Sequence, residues 1–99
     1  MAAATGNTVT TTGTGGSDHL TLGAGDYVLT ITWAGSAGDA DLQCSGDGTT
    51  FIDVLDAPNG NVVNYTAAGA VRVSGGMRYR LDVTTHTSAA TMTAHRCEI

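Results

Sequence analysis

The most regular pattern in the chain is the alternation of apolar and polar residues. In residues 26–34 apolar side chains occupy every second position, and the same period returns in residues 77–85. Successive side chains of a β-strand point to opposite faces, so both segments are predicted to be half-buried strands. The core predicted from this alternation comprises Tyr27, Leu29, Ile31, Trp33, Leu42, Phe51, Tyr79, Leu81 and Val83.

Shorter alternating segments, separated by glycine-rich turns, fill most of the remaining chain. In "CSGDGTTFIDV", residues 44–54, an Asp-Gly pair lies between two such segments and indicates a β-hairpin. Its acidic residues lack calcium-loop spacing, and no helix or lysine follows to form a phosphate loop. With no helical period, the predicted fold is all-β: an antiparallel β-sandwich, jelly-roll-like or Ig-like, of seven to eight short strands. The further strands are predicted at residues 40–44, 49–56, 62–66, 70–74 and about 91–99.

The first 18 residues differ from the rest because they are rich in threonine and glycine and poor in large apolar residues. We predict that residues 1–18 form an extended N-terminal arm, mobile in the free protein, and that residues 19–99 form one sandwich domain. The arm has no basic segment leading into an apolar run, so neither a signal peptide nor a membrane anchor is expected. Thr8, Thr10 and Thr12 are candidate interface residues, since β-branched residues favour addition to a sheet edge.

Size and charge restrict the possible partners. A chain of 99 residues forms a modest core, so oligomerisation or docking is a plausible source of extra stability. The formal net charge is -5, the four basic residues are all arginines, and there is no lysine. Binding to nucleic acid or to an anionic membrane requires clustered cations. We therefore expect neither of these as a partner.

Cysteine and histidine are the residues that would first suggest a metal or redox site. Cys44 and Cys97 are expected to be reduced, buried and hydrophobic in role, with a disulfide as the less favoured alternative. His95 and Cys97 would share one strand face, but the close-spaced ligand pairs of a structural zinc site are missing around them and around His19 and His86. No metal or other cofactor is predicted.

Catalysis finds equally little support in the sequence. There is no G-x-S-x-G elbow, and Cys44 has no base and orienting acid at a recognisable spacing. Asp39 and Asp41 lie in a predicted hairpin, where such carboxylates are ordinarily solvated. The sequence therefore predicts a protein that is not an enzyme.

Two of the four arginines lie on one predicted strand face. Arg78 and Arg80 point away from the core, with Asp82 beyond them. A solvated face with a weak ion pair is one interpretation. An interface patch is the other, because arginine is enriched and lysine depleted at protein contacts.

Two segments of the chain resemble a known class of proteins, "LQCSGDGTTFIDV" and "GAVRVSGGMRYRLDVTT". These segments, within residues 40–85, resemble small virion proteins of tailed bacteriophages, whose sandwiches often carry an S-x-D-G-T-x-F/W-x-D-V hairpin and a later G-x-Y-R-x-x-V strand. The second motif has one extra residue after the glycine here. The matching residues are Ser45, Asp47, Gly48, Thr49, Phe51, Asp53, Val54, Gly76, Tyr79, Arg80 and Val83.

The resemblance implies a capsid decoration, or cement, protein that stabilises the outside of a bacteriophage capsid as a homotrimer. Its expected partners are further copies of itself and the major capsid protein. Its expected location is the virion, on the capsid exterior, after assembly in the host cytoplasm. Bacterial carbohydrate-binding sandwiches share similar hairpins, so the alternative is a carbohydrate- or receptor-binding module in which Trp33 or Tyr65 stacks on a sugar ring.

Overall fold

The computed structural model describes residues 8–55 and 60–97, and these residues form β-strands and connecting turns without a helix. All strand pairs are antiparallel. The strands are β1 (Thr8–Thr11), β2 (Gly15–Gly16), β3 (Leu20–Thr21), β4 (Asp26–Trp33), β5 (Asp39–Ser45), β6 (Ile52–Asp53), β7 (Asn64–Tyr65), β8 (Gly69–Ser74), β9 (Arg78–Thr85) and β10 (Ala90–Arg96).

The strands form two packed sheets. The first sheet has the order β1-β10-β4-β8, and the second has β9 and β5 at its centre. The short strands β2 and β3 both pair with β9, whereas β6 and β7 both pair with β5. If each of these short pairs is counted as one interrupted strand, the described residues form eight strands. Every connection between these strands except the β5–β6 hairpin crosses from one sheet to the other. This is the connectivity of a jelly roll. The predicted all-β antiparallel sandwich is confirmed.

The core lies between the sheets and consists of the inward side chains of both. The two longest strands alternate as predicted, since Tyr27, Leu29 and Ile31 of β4 are fully buried and face the buried residues of β9. The buried apolar residues are Val9, Leu20, Leu22, Tyr27, Leu29, Ile31, Ala40, Leu42, Tyr65, Val73, Tyr79, Leu81, Val83, Ala90, Met92 and Ala94.

Two predicted core residues are only half-buried. Trp33 is the last residue of β4 and packs against the core from the end of the sandwich. Phe51 lies just before β6, which is shorter than the predicted strand of residues 49–56, and its ring is on the outer face of the second sheet beneath Arg80. The prediction that both rings are largely in the core was wrong, because alternation indicates the face of residues inside a strand, whereas Trp33 ends β4 and Phe51 precedes β6.

The turn after β5 confirms the hairpin predicted from "SGDG". β6 pairs with β5, and Gly48 has a φ of 82°, a left-handed conformation that favours glycine. One carboxylate oxygen of Asp47 accepts hydrogen bonds from the backbone amides of Thr49 and Thr50 and from the hydroxyl of Ser45. These bonds lower the pKa of Asp47 to about 2, because they stabilise the ionised carboxylate.

Part of the predicted arm lies in the sandwich. β1 pairs with β10 at the edge of the first sheet, and β2 pairs with β9 in the second. β1 therefore adds to a sheet edge of its own molecule and not to that of a neighbour. Residues 1–7 lie outside the described part of the chain, as do residues 56–59 and 98–99. Mobility of the arm in the free protein stays a prediction.

Candidate functional site

The outer face of the first sheet carries a regular array of threonines. Three T-x-T segments, in β1, β4 and β10, lie side by side because Thr8 is paired with Thr93 and Thr93 with Thr30. The other threonine of each segment forms a second row, in which Thr91 is paired with both Thr10 and Thr32. We call this surface the threonine face, and its six members are Thr8, Thr10, Thr30, Thr32, Thr91 and Thr93.

The hydroxyls of the threonine face bond largely to one another. Thr8 donates to the hydroxyl of Thr93 at 3.3 Å, and the hydroxyls of Thr10 and Thr91 are 3.1 Å apart. The hydroxyl of Thr30 lies 3.3 Å from Nε2 of His95. Part of the hydrogen-bonding capacity is thus used within the face, which leaves methyl groups as a large share of what a partner would meet.

This face also carries little charge. Among the outward side chains of the first sheet's described strands, two are charged, Asp26 and Arg72. They form an ion pair of 3.5 Å beyond the threonine rows, and both are more than half exposed. This sheet face, whose two charged residues neutralise each other, contrasts with the acidic outer face of the second sheet, where Asp41 lies directly opposite Asp82.

Of the predicted interface threonines, Thr8 and Thr10 belong to this face, and Thr12 is exposed just after β1. The sequence did contain a signal for the rest of the face, since the T-x-T tripeptides of β1, β4 and β10 all have an apolar middle residue. Their adjacency was missed because it depends on strand order.

The two candidate arginines are both bound within the molecule. Arg80 is half-buried: its guanidinium lies 4.2 Å from the centre of the Phe51 ring, and its Nε donates to Oε1 of Gln43 at 2.9 Å. Gln43 in turn donates to Asp53 at 3.1 Å. Arg78 donates to the carbonyl of Gly46 at 2.9 Å and so holds the turn after β5. The structure does not join these arginines to the threonine face, which is on the other sheet.

The two aromatic rings proposed for sugar stacking are not displayed on a surface. Tyr65 is 7% exposed, and burial raises its pKa to about 12. Trp33 is half-buried, and its indole nitrogen is shielded from solvent without a hydrogen-bond partner among the described residues. The two residues lie on different sheets, at positions that do not form one aromatic platform.

The cysteines and histidines are not gathered into a site. Both cysteines are free and half-buried rather than fully buried, and burial raises the pKa of the Cys44 thiol. His19 lies against the Phe51 ring, with the ring centres 5.6 Å apart, and His95 adjoins the threonine face. Within residues 8–55 and 60–97, no group of three or more potential metal ligands occurs.

A second surface feature lies at the open side of the sandwich, between β8 and the segment that leads into β7. It is a groove of about 560 Å³ with an apolar wall that includes Leu55, Val62, Val63 and Val71. We call it the β8 groove. Leu55 is 56% exposed and Val62 is 39% exposed, although both are large aliphatic residues.

The chain was compared with protein-family models, with curated proteins and with solved structures, and none of the three comparisons found a match. In the described part of the chain, no helix has the length and apolar character needed to cross a bilayer. The class that the structure defines is thus a small jelly-roll sandwich, and its function has to be argued from its surfaces.

Proposed function

We propose that this protein is a structural virion protein that decorates and stabilises the outside of a bacteriophage capsid as a small homo-oligomer. The observation that carries the proposal is the threonine face, an array of six uncharged outward side chains on a chain of net charge -5. Such a face suits broad contact with a protein shell, where burying unpaired charges would be costly. The resemblance of the β5–β6 hairpin and β9 to small phage virion proteins supports the same function.

The positions of the aromatic rings favour decoration over sugar binding. A sugar-binding site of the kind predicted would present an exposed ring along a groove. Tyr65 is buried, Trp33 packs on the core, and Phe51 is covered by Arg80. The array on the first sheet instead offers methyl and hydroxyl groups to a broad surface.

The test compares shells with and without the protein. Decorated shells should disrupt at a higher temperature than bare shells in a light-scattering melt. Thr32→Glu introduces a charge on the threonine face, at an exposed position of the central strand β4, and should lower occupancy of the shell. Thr21→Glu is the matched control, since Thr21 is an exposed strand threonine of the other sheet.

Both variants should keep the far-ultraviolet circular dichroism spectrum of the parent. Equal melting of bare and decorated shells would contradict the stabilising role. Equal occupancy by the two variants would contradict the threonine face as the contact. Tight binding of a glycan by the monomeric protein, with no binding to shells, would replace the proposal with the sugar-binding alternative.

A further inference from the structure

In the part of the chain that the structure describes, one edge of β8 has no strand partner. It pairs with β4 on one side, and no strand among the described residues pairs with the other side. Natural edge strands are usually protected by lysine, proline, a bulge or an inward charge. β8 is six residues long and has none of these, since Val71 and Val73 point inward and Arg72 points outward. As far as the described residues go, its outer backbone edge is therefore open to a further strand.

The β8 groove runs beside this free edge. A strand added to β8 would direct every second side chain towards the groove, where Leu55 and Val62 present exposed apolar surface. Tyr65 lines the same groove, and its buried hydroxyl has no hydrogen-bond partner among the described residues. Edge and groove together are the two parts of a strand-addition site, in which main-chain bonds give affinity and alternate side chains give specificity.

The chain itself contains a segment of fitting chemistry immediately before β1. Residues 2–7 read Ala-Ala-Ala-Thr-Gly-Asn, with no charge and no proline. If Ala2, Ala4 and Gly6 face inward, they place only small side chains over the apolar wall, whereas the other set has Ala3 with the polar Thr5 and Asn7. Six extended residues cover about 20 Å, which is also the length of the six-residue β8.

The same molecule's segment is too short to reach this site. Residue 7 adjoins β1, which lies at the opposite edge of the first sheet. The position beyond β8 is four strand spacings from β1, or about 19 Å. Residues 2–7 would be used up in crossing that distance, and none would remain to pair.

We propose that residues 2–7 of a second copy add to the free edge of β8 as an extra strand, with alanine side chains over the β8 groove. Copies of the protein are then joined by exchanged N-terminal segments. This inference deepens the proposed function, because it names the surface through which the homo-oligomer forms.

The first test uses the full chain with Ala3→Pro and Ala4→Pro together. Only alternate amides of an added strand face β8, so two adjacent prolines remove a needed donor in either register. The protein should change from an oligomer to a monomer in light scattering coupled to size-exclusion chromatography. The control, Ala3→Ser with Ala4→Ser, keeps the amides and the small size and should remain oligomeric.

The second test measures the site directly. A fluorescent peptide of residues 1–7 should bind the double-proline variant in an anisotropy titration. Leu55→Lys in that background should weaken binding about tenfold, which corresponds to about 1.4 kcal/mol. Ile52→Lys is the matched control, because Ile52 is 63% exposed but does not line the groove, and it should leave binding unchanged.

An oligomer that survives the prolines, or a parent protein that is monomeric at all concentrations, would overturn the inference. Failure of the peptide to bind would also overturn the inference, because the groove would then bind something else, such as a small molecule or a neighbouring loop. Shell binding is scored separately. An oligomer of the expected kind that does not bind shells would contradict the proposed function and leave this inference standing.

Discussion

Arg80 offers the sharpest quantitative test, because the structure gives it an internal role where the sequence suggested an interface. Its guanidinium stacks on Phe51, packs on the backbone of Gly16 and donates to Gln43. Arg80→Ala removes all three contacts. If Arg80 is a structural residue, the cost should appear in the free energy of unfolding of the isolated protein.

The expected magnitude follows from the individual contacts. A cation–π contact at a partly exposed site contributes about 0.5–1 kcal/mol. A hydrogen bond from a charged donor contributes about 1.5 kcal/mol. Arg80→Ala should therefore destabilise the fold by about 2 kcal/mol, or roughly 10 °C in melting temperature for a domain of this size. Arg72→Ala, which removes one exposed ion pair, should cost less than about 0.5 kcal/mol.

Urea unfolding followed by tryptophan fluorescence would measure these differences. A double-mutant cycle with Phe51→Ala should give a coupling energy of about 0.5–1 kcal/mol between the two side chains. Arg80→Lys should recover only part of the stability, because an ammonium cannot reproduce the planar stack. If Arg80→Ala is as stable as Arg72→Ala and the coupling is below about 0.3 kcal/mol, the internal role is wrong and Arg80 is available as a contact.

Three further predictions concern stability. Gly75→Ala should destabilise by about 2–3 kcal/mol in urea unfolding, because its Cβ would overlap a backbone carbonyl, whereas Gly46→Ala, in open space, should change little. Asp47→Asn should make the urea midpoint depend less on pH in the acid range. The pKa of Asp47 is about 2 in the folded protein, below the ordinary 3.8, so its carboxylate contributes stability above about pH 4 that is lost as the pH falls through 2. A steeper profile in the variant would contradict this. Tyr79→Phe should cost about 1 kcal/mol in the same assay, since its hydroxyl donates to a carbonyl at 2.8 Å, and an unchanged midpoint would count against that bond.

The sequence predicted those parts of the fold that depend on local alternation. β4 and β9 were visible because each has one buried and one solvated face, and the hairpin after β5 was visible because Asp47-Gly48 fits a tight turn. The position of Phe51 was not predictable, since it depends on Arg80, which is distant in sequence. Thr8 and Thr10 were selected as interface candidates from β-propensity alone. The rest of the threonine face and the β8 groove could not be predicted because they depend on which strands become neighbours.

The strand order of the first sheet also has a consequence for how the protein folds. None of its neighbouring strands are consecutive in the chain: Thr8 meets Thr93, 85 residues away, and Thr30 meets Thr93 across 63 residues. Closing such long loops costs entropy before any contact compensates for it, so folding of high-contact-order sandwiches takes milliseconds to seconds. The first sheet cannot be completed until β10 has been synthesised. During that interval the apolar faces of β4 and β8 are open to other nascent chains, and at high expression we expect aggregation to compete with folding.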